Sequence, residues 1–206
     1  LYGGTAGVAL LAAHFPEDAA RSDLLKALMP PLLQMGESNR DGMRLRWWRD
    51  QALGLSGCGG TLLCLQQLAA SSEQDLRESL QELESSLISA LLPDHIRSDL
   101  TLDVIGGVAG LIGPLLENGS ARALECAVLC GDQLLLHQKE EGGWSLGGLD
   151  RHPLLGFSHG TAGFAAALVK IGQRVGESRF IEGASRALAY ERERFDADHG
   201  LSLIHI

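Results

Sequence analysis

The stretch GFSHGTAGFAAALVKIG, Gly156 to Gly172, sets a turn of small residues directly against an apolar run, with one histidine at the junction. The same unit recurs along the chain. GTAG at Gly4–Gly7, GCGG at Gly57–Gly60, GVAG at Gly107–Gly110 and GTAG at Gly160–Gly163 share the form G-x-[AG]-G, and their last glycines stand 53, 50 and 53 residues apart. Each leads into an apolar segment: VALLAAHF, TLLCLQQLAA, LIGPLLEN and FAAALVKIG. A regular spacing of this size marks a repeat architecture, in which each unit buries its apolar surface against its neighbours.

The segments between these units have a different character. In SSEQDLRESLQELESSLISALL, residues 71–92, the apolar positions Leu76, Leu80, Leu83, Leu87 and Leu91 step by 4, 3, 4 and 4. That is the spacing of one helix face, and Ser72 with Asp75 offers a capping-box start. Residues 21–37, 120–138 and 177–195 read the same way, with Pro30 and Pro31 bending or splitting the first. Mostly buried helices thus alternate with amphipathic ones, which suits an inner ring and an outer ring. Alternating β-branched runs are few, so the predicted fold class is all-α. The turn glycines are expected to let helices crowd together at the centre and to supply the backbone φ values that the turns need.

Composition excludes several functions. The chain has 206 residues, 45% hydrophobic and 21% charged, enough for a real core. A net charge of −9 without a basic run argues against nucleic-acid binding, whose affinity comes from clustered Lys and Arg. The longest apolar runs, such as VIGGVAGLIGPLL, fall short of the ~18 to 20 residues of a membrane-spanning helix. No membrane span and no signal peptide are read. Four cysteines without a disulfide spacing point to a reducing, cytoplasmic compartment.

GFSHGTAGFAAAL, DVIGGVAGLIGPLL, LYGGTAGVALLAAHF and LAYERERFDADHG together resemble the lanthionine synthetase C-like family, closest to the C-terminal cyclase domain of class II lanthipeptide synthetases. The resemblance covers almost the whole chain. It implies an α/α toroid, of which residues 1–206 form one partial domain, an incomplete arc of about four helix pairs out of roughly seven. It also implies zinc-dependent addition of cysteine thiols to dehydroalanine or dehydrobutyrine in a dehydrated precursor peptide, giving thioether rings. A dehydratase domain is expected N-terminal to it in the parent chain. The family's zinc ligands, two cysteines and a histidine, are expected beyond residue 206, so zinc is a cofactor of the parent and no metal site is assigned here. The last residues, LSLIHI at 201–206, depart from the family's pattern and are read as a non-native tail.

Asp103 and His159 are the predicted catalytic residues. Thiol addition to an electron-poor alkene ends with a proton delivered to carbon, a task for a group that titrates near neutrality, as histidine does. Asp103 stands four residues before GVAG and His159 one before GTAG, so both fall on the same rim in adjacent repeats, roughly 5 to 12 Å apart on the scale of packed helices. The plain alternatives are a helix N-cap for Asp103 and a solvent-facing or capping role for His159.

Other candidates are weaker. Cys126 and Cys130, with His137 roughly on the same helix face, could outline a zinc site, but cysteines among Leu and Val more often pack as small hydrophobes. Cys58 and Cys64 are read as packing residues. Trp47 and Trp48 suggest a peptide-contact patch or, more simply, a core anchor, and Asp196 and Asp198 resemble a calcium loop only faintly. Two further functions stand beside the cyclase: a glutathione- or peptide-binding relative without turnover, and an unrelated α/α-toroid glycosidase using two carboxylates. Aromatic residues at 5% leave few sugar platforms for the last.

Overall fold

Each G-x-[AG]-G motif starts a helix. The computed structural model describes residues 4–14, 23–24, 26–28, 30, 48–145, 152–196 and 201–202. Its helices are α1 (Thr5–Ala13), α2 (Cys58–Ala70), α3 (Gln74–Ser89), α4 (Pro93–Arg97), α5 (Val108–Asn118), α6 (Ala121–His137), α7 (Thr161–Val175) and α8 (Ser178–Glu193). Gly4, Gly57, Gly107 and Gly160, the first glycine of each motif, are the N-caps of α1, α2, α5 and α7.

These four helices pack in series, α1 on α2, α2 on α5 and α5 on α7. The amphipathic helices cover them from outside: α3 on α2, α6 on α5 and α8 on α7, with α6 also touching α3 and α8. The result is the all-α, two-layered arc of an α/α toroid. Most of the first amphipathic segment, 21–37, including Pro31, lies outside the described residues. The strands among the described residues are two-residue pieces, β1 (Phe195–Asp196) paired antiparallel with β2 (Leu201–Ser202). No helix among the described residues is long and apolar enough to cross a membrane.

The periodicity of α3 translates directly into burial. Leu80, Leu83, Leu87 and Leu91 are buried and Leu76 packs half-buried against the core. Its start differs from the expected capping box. The N-cap is Glu73, with no side-chain cap, because the Ser72 hydroxyl donates instead to Leu68 O at 2.6 Å, at the C-terminal end of α2. A hydroxyl spent on closing one helix is not left to open the next.

The close approach expected of the turn glycines is borne out, and a left-handed φ occurs within the turn entering α7, at Gly156 (89°), not at the helix N-caps. The four N-caps have φ of −118°, −137°, −113° and −122°, so none is there for the left-handed region. Close approach decides instead. A Cβ on Gly110 would lie 1.9 Å from Val104 O, and one on Gly163 would lie 2.0 Å from Phe157 O. The loops entering α2, α5 and α7 fold back against the first turn of the helix, where only hydrogen fits. Neighbouring loops are then laced together, since Leu55 N–H donates to Val104 O (3.0 Å), Ser56 N–H to Ile105 O (2.8 Å) and Val104 N–H to Ser158 O (3.2 Å).

Candidate active site

Asp103 sits on the loop between α4 and α5. That loop is organised by Asp99, whose Oδ1 accepts Thr101 N–H (3.2 Å) and whose Oδ2 accepts Leu102 N–H (3.0 Å) and Val108 N–H (2.9 Å). Between these anchors Leu102 takes a left-handed φ of 61°, while its side chain is buried. For a residue other than glycine this conformation costs about 1–3 kcal/mol, and it persists where the surroundings over-determine it. The strain falls at the residue preceding Asp103 and re-aims the chain there.

The carboxylate that follows is 4% exposed. A buried carboxylate must be hydrogen-bonded, and both oxygens are. Oδ1 accepts Gly106 N–H at 2.6 Å, and Oδ2 lies 2.6 Å from His159 Nδ1. The N-cap reading of Asp103 is thereby half right: it caps the turn Asp103–Gly106, whereas the N–H of Val108, the first residue of α5, is taken by Asp99.

His159 arrives from the next repeat. Its loop closes where Thr161 N–H and its hydroxyl both donate to Leu154 O at 2.9 Å. The imidazole side chain is 54% exposed although its partner is buried. Direct contact replaces the expected 5 to 12 Å. Helix spacing set that expectation, but the two residues ride on loops, and loops bonded through Val104 N–H and Ser158 O approach more closely than helix axes do.

A carboxylate only accepts hydrogen bonds, so Nδ1 carries the proton toward Asp103 and Nε2 is the nitrogen left for chemistry. An imidazole oriented in this way presents Nε2 as a proton donor or acceptor to a group placed against it. A groove of about 390 Å³ runs between α2, α5 and α7, lined at one end by Val104 and Phe157, close chain neighbours of Asp103 and His159.

The four cysteines are buried. Burial pushes the Cys58 thiol up to about 12 and raises Cys64, Cys126 and Cys130 as well. Cys126 and Cys130 therefore pack in the core, and His137 Nε2 pairs with Gln133 Nε2 at 3.1 Å. The Cys126–Cys130–His137 zinc alternative does not form, and no group of three His, Cys, Asp or Glu side chains among the described residues is arranged to hold a metal ion. These residues do not fit a zinc centre. Trp48 is a core anchor, 1% exposed, with its indole N–H donating to Leu87 O at 3.0 Å. Trp47 and Asp198 lie outside the described residues.

Two residues of the site escape a reading along the chain. Asp99 carries a local signal, an Asp bonding the backbone two residues on. Glu191 carries none. From α8 its Oε1 accepts Gly156 N–H at 2.8 Å and Ala162 N–H at 3.0 Å, contacts that exist only once α8 lies along α7.

A family model described as lanthionine synthetase C-like protein matches residues 1–204. The chain belongs to that family. A search of curated proteins finds no match. Membership in the lanthionine synthetase C-like family removes the glycosidase reading, which required an unrelated toroid.

Proposed function

We propose that the chain is part of a peptide cyclase that forms lanthionine-type thioethers, with His159 as the proton carrier and Asp103 as the residue that orients it. The observation that carries this reading is the 2.6 Å contact between His159 Nδ1 and Asp103 Oδ2, with the ring half-exposed. The cysteine thiolate of a dehydrated precursor peptide attacks the β-carbon of dehydroalanine or dehydrobutyrine. The new C–S bond pushes the alkene electrons onto the α-carbon and its carbonyl. Protonated His159 delivers the Nε2 proton to the α-carbon, and neutral His159 regains a proton as the next thiol ionises. Nothing is oxidised, and the peptide mass is unchanged.

Zinc, on this reading, belongs to the thiolate-forming half of the chemistry and is held by residues beyond 206. An N-terminal dehydratase domain in the same parent chain would supply the unsaturated peptide. Four unpaired buried thiols fit the reducing cytoplasm as its compartment. The test is His159→Ala in the full-length parent, with ring closure followed by thiol alkylation and bound zinc measured alongside. Cyclisation should fall by roughly 10²-fold or more with zinc retained, the usual scale for losing a positioned acid or base. Lost zinc would make His159 a ligand or a structural residue. A parent that binds peptide but never closes rings would favour the binding-only relative.

A further inference from the structure

We propose that Glu191 is a positioning residue for His159, acting from the outer layer through the backbone of the catalytic loop. The proposal rests on reading His159 as the proton carrier.

The starting point is an unmet need at the start of α7. A helix begins with four N–H groups that have no intrahelical partner, and its N-cap side chain commonly satisfies one of them. Here the N-cap is Gly160, which has no side chain to offer. Thr161 N–H is met by Leu154 O, and Ala162 N–H is met by Glu191 Oε1 at 3.0 Å. The same oxygen accepts Gly156 N–H at 2.8 Å. One atom thus ties the entrance of the loop to the first turn of the helix, and His159 stands three residues from each tied amide. A carboxylate suits this position, since the N-terminal end of a helix carries partial positive charge.

The outer helix reaches the loop because α8 packs along α7 and its last turns come up to the rim. Tyr190, one residue earlier, is buried and donates its hydroxyl to Pro153 O at 3.1 Å. Two successive residues of α8 therefore grip the segment 153–162.

The arrangement repeats on the other side of the pair. Gly107 leaves α5 without a side-chain cap, and Asp99 supplies the carboxylate, accepting Val108 N–H together with two amides of the Asp103 loop. At α2, which carries neither residue of the pair, the corresponding N–H groups of Cys58 and Gly59 go to the loop carbonyls of Ala52 and Leu53. The carboxylate clamps coincide with the two loops whose side chains meet. Without Glu191, Gly156 and Ala162 lose their acceptor, and the imidazole is no longer held at 2.6 Å from Asp103.

The test uses the full-length parent carrying Glu191→Ala, Glu191→Gln, His159→Ala and the double variant Glu191→Ala/His159→Ala. Cyclisation kinetics are measured together with amide hydrogen exchange over residues 154–164. Glu191→Ala should lower kcat roughly 10- to 100-fold with KM within about threefold, the scale of a catalytic group displaced by an ångström or so. Exchange should quicken in 154–164 and nowhere else. Glu191→Gln keeps an acceptor oxygen and should recover most of the rate and the protection. The double variant should be no slower than His159→Ala alone. Losses that multiply in the double variant, unchanged exchange in 154–164, or a Gln variant as poor as the Ala variant would each overturn the proposal while leaving His159 as the carrier. Full activity in His159→Ala would remove the reading beneath it, and the proposal with it.

Discussion

His159 Nδ1 and Asp103 Oδ2 lie 2.6 Å apart, joining side chains 56 positions apart in the sequence. The aspartate is buried and the imidazole half-exposed, so one end of the pair is fixed by the protein and the other faces solvent. Asp103→Asn tests that division. Its amide oxygen can still accept Gly106 N–H, but the NH₂ it then presents to His159 must be accepted by Nδ1, which moves the ring proton to Nε2. Cyclisation should drop by ~10²- to 10⁴-fold, the range seen when an aspartate that orients a catalytic histidine is replaced, with the fold intact. Nitrogen-15 spectra of the His159 ring should show the tautomer reversed; an unchanged tautomer with full activity would remove Asp103 from the mechanism.

Asp99 carries more of the fold than any reading along the chain assigned to it. Asp99→Ala strands three backbone N–H groups and releases the left-handed Leu102. A loss of about 2–4 kcal/mol is expected from removing hydrogen bonds to a charged acceptor, seen as a lower urea midpoint at constant slope. Asp99→Asn should lose about half as much, since one amide oxygen still accepts. Equal stability in all three proteins would show that the loop holds without the carboxylate.

The repeat and the two layers were legible because apolar periodicity is written locally: Leu80, Leu83 and Leu87 announce the buried face of α3 within eight residues. Asp103 and His159 stood out as candidates through the family resemblance and their register before the glycine motifs, though their contact was not legible, because it depends on how loops cross between repeats. Ser72 misled, since a hydroxyl can close one helix or open the next and only the three-dimensional path decides. Glu191 was invisible for a related reason. Its partners are backbone amides 29 and 35 residues away, and a backbone N–H leaves no trace in residue identity.

Gly163 and Gly113 provide a paired test of the close-approach argument. A methyl at Gly163 would sit 2.0 Å from Phe157 O and 2.7 Å from Val104 Cγ2, whereas at Gly113 it would meet nothing within 4 Å. Gly163→Ala should therefore destabilise by roughly 1–3 kcal/mol, the cost of forcing a packed region apart, and should slow cyclisation by displacing the His159 loop. Gly113→Ala should be neutral or stabilising by up to about 1 kcal/mol through helix propensity. Thermal melts of the two variants side by side check the ordering, and the reverse order would refute it.

Cys58 makes the stability of the protein depend on alkaline pH. Its thiol is buried and donates to Trp48 O at 3.5 Å, and burial holds its pKa near 12 against an ordinary 9.0. Because the folded state keeps the proton that the unfolded chain releases, this contribution is complete below pH 9 and declines as pH rises from 9 toward 12. Cys64, Cys126, Cys130 and the Tyr190 phenol are raised by burial too and act in the same direction. Urea unfolding under reducing conditions at several pH values between 8 and 11 should therefore show a falling midpoint. Cys58→Ala should start from a lower value, because it removes a packed sulfur. Its decline should be shallower by up to about 1.4 kcal/mol per pH unit, the free energy of one proton. Parallel lines for the two proteins would mean that Cys58 ionises without unfolding, and that the base of α2 is open to solvent.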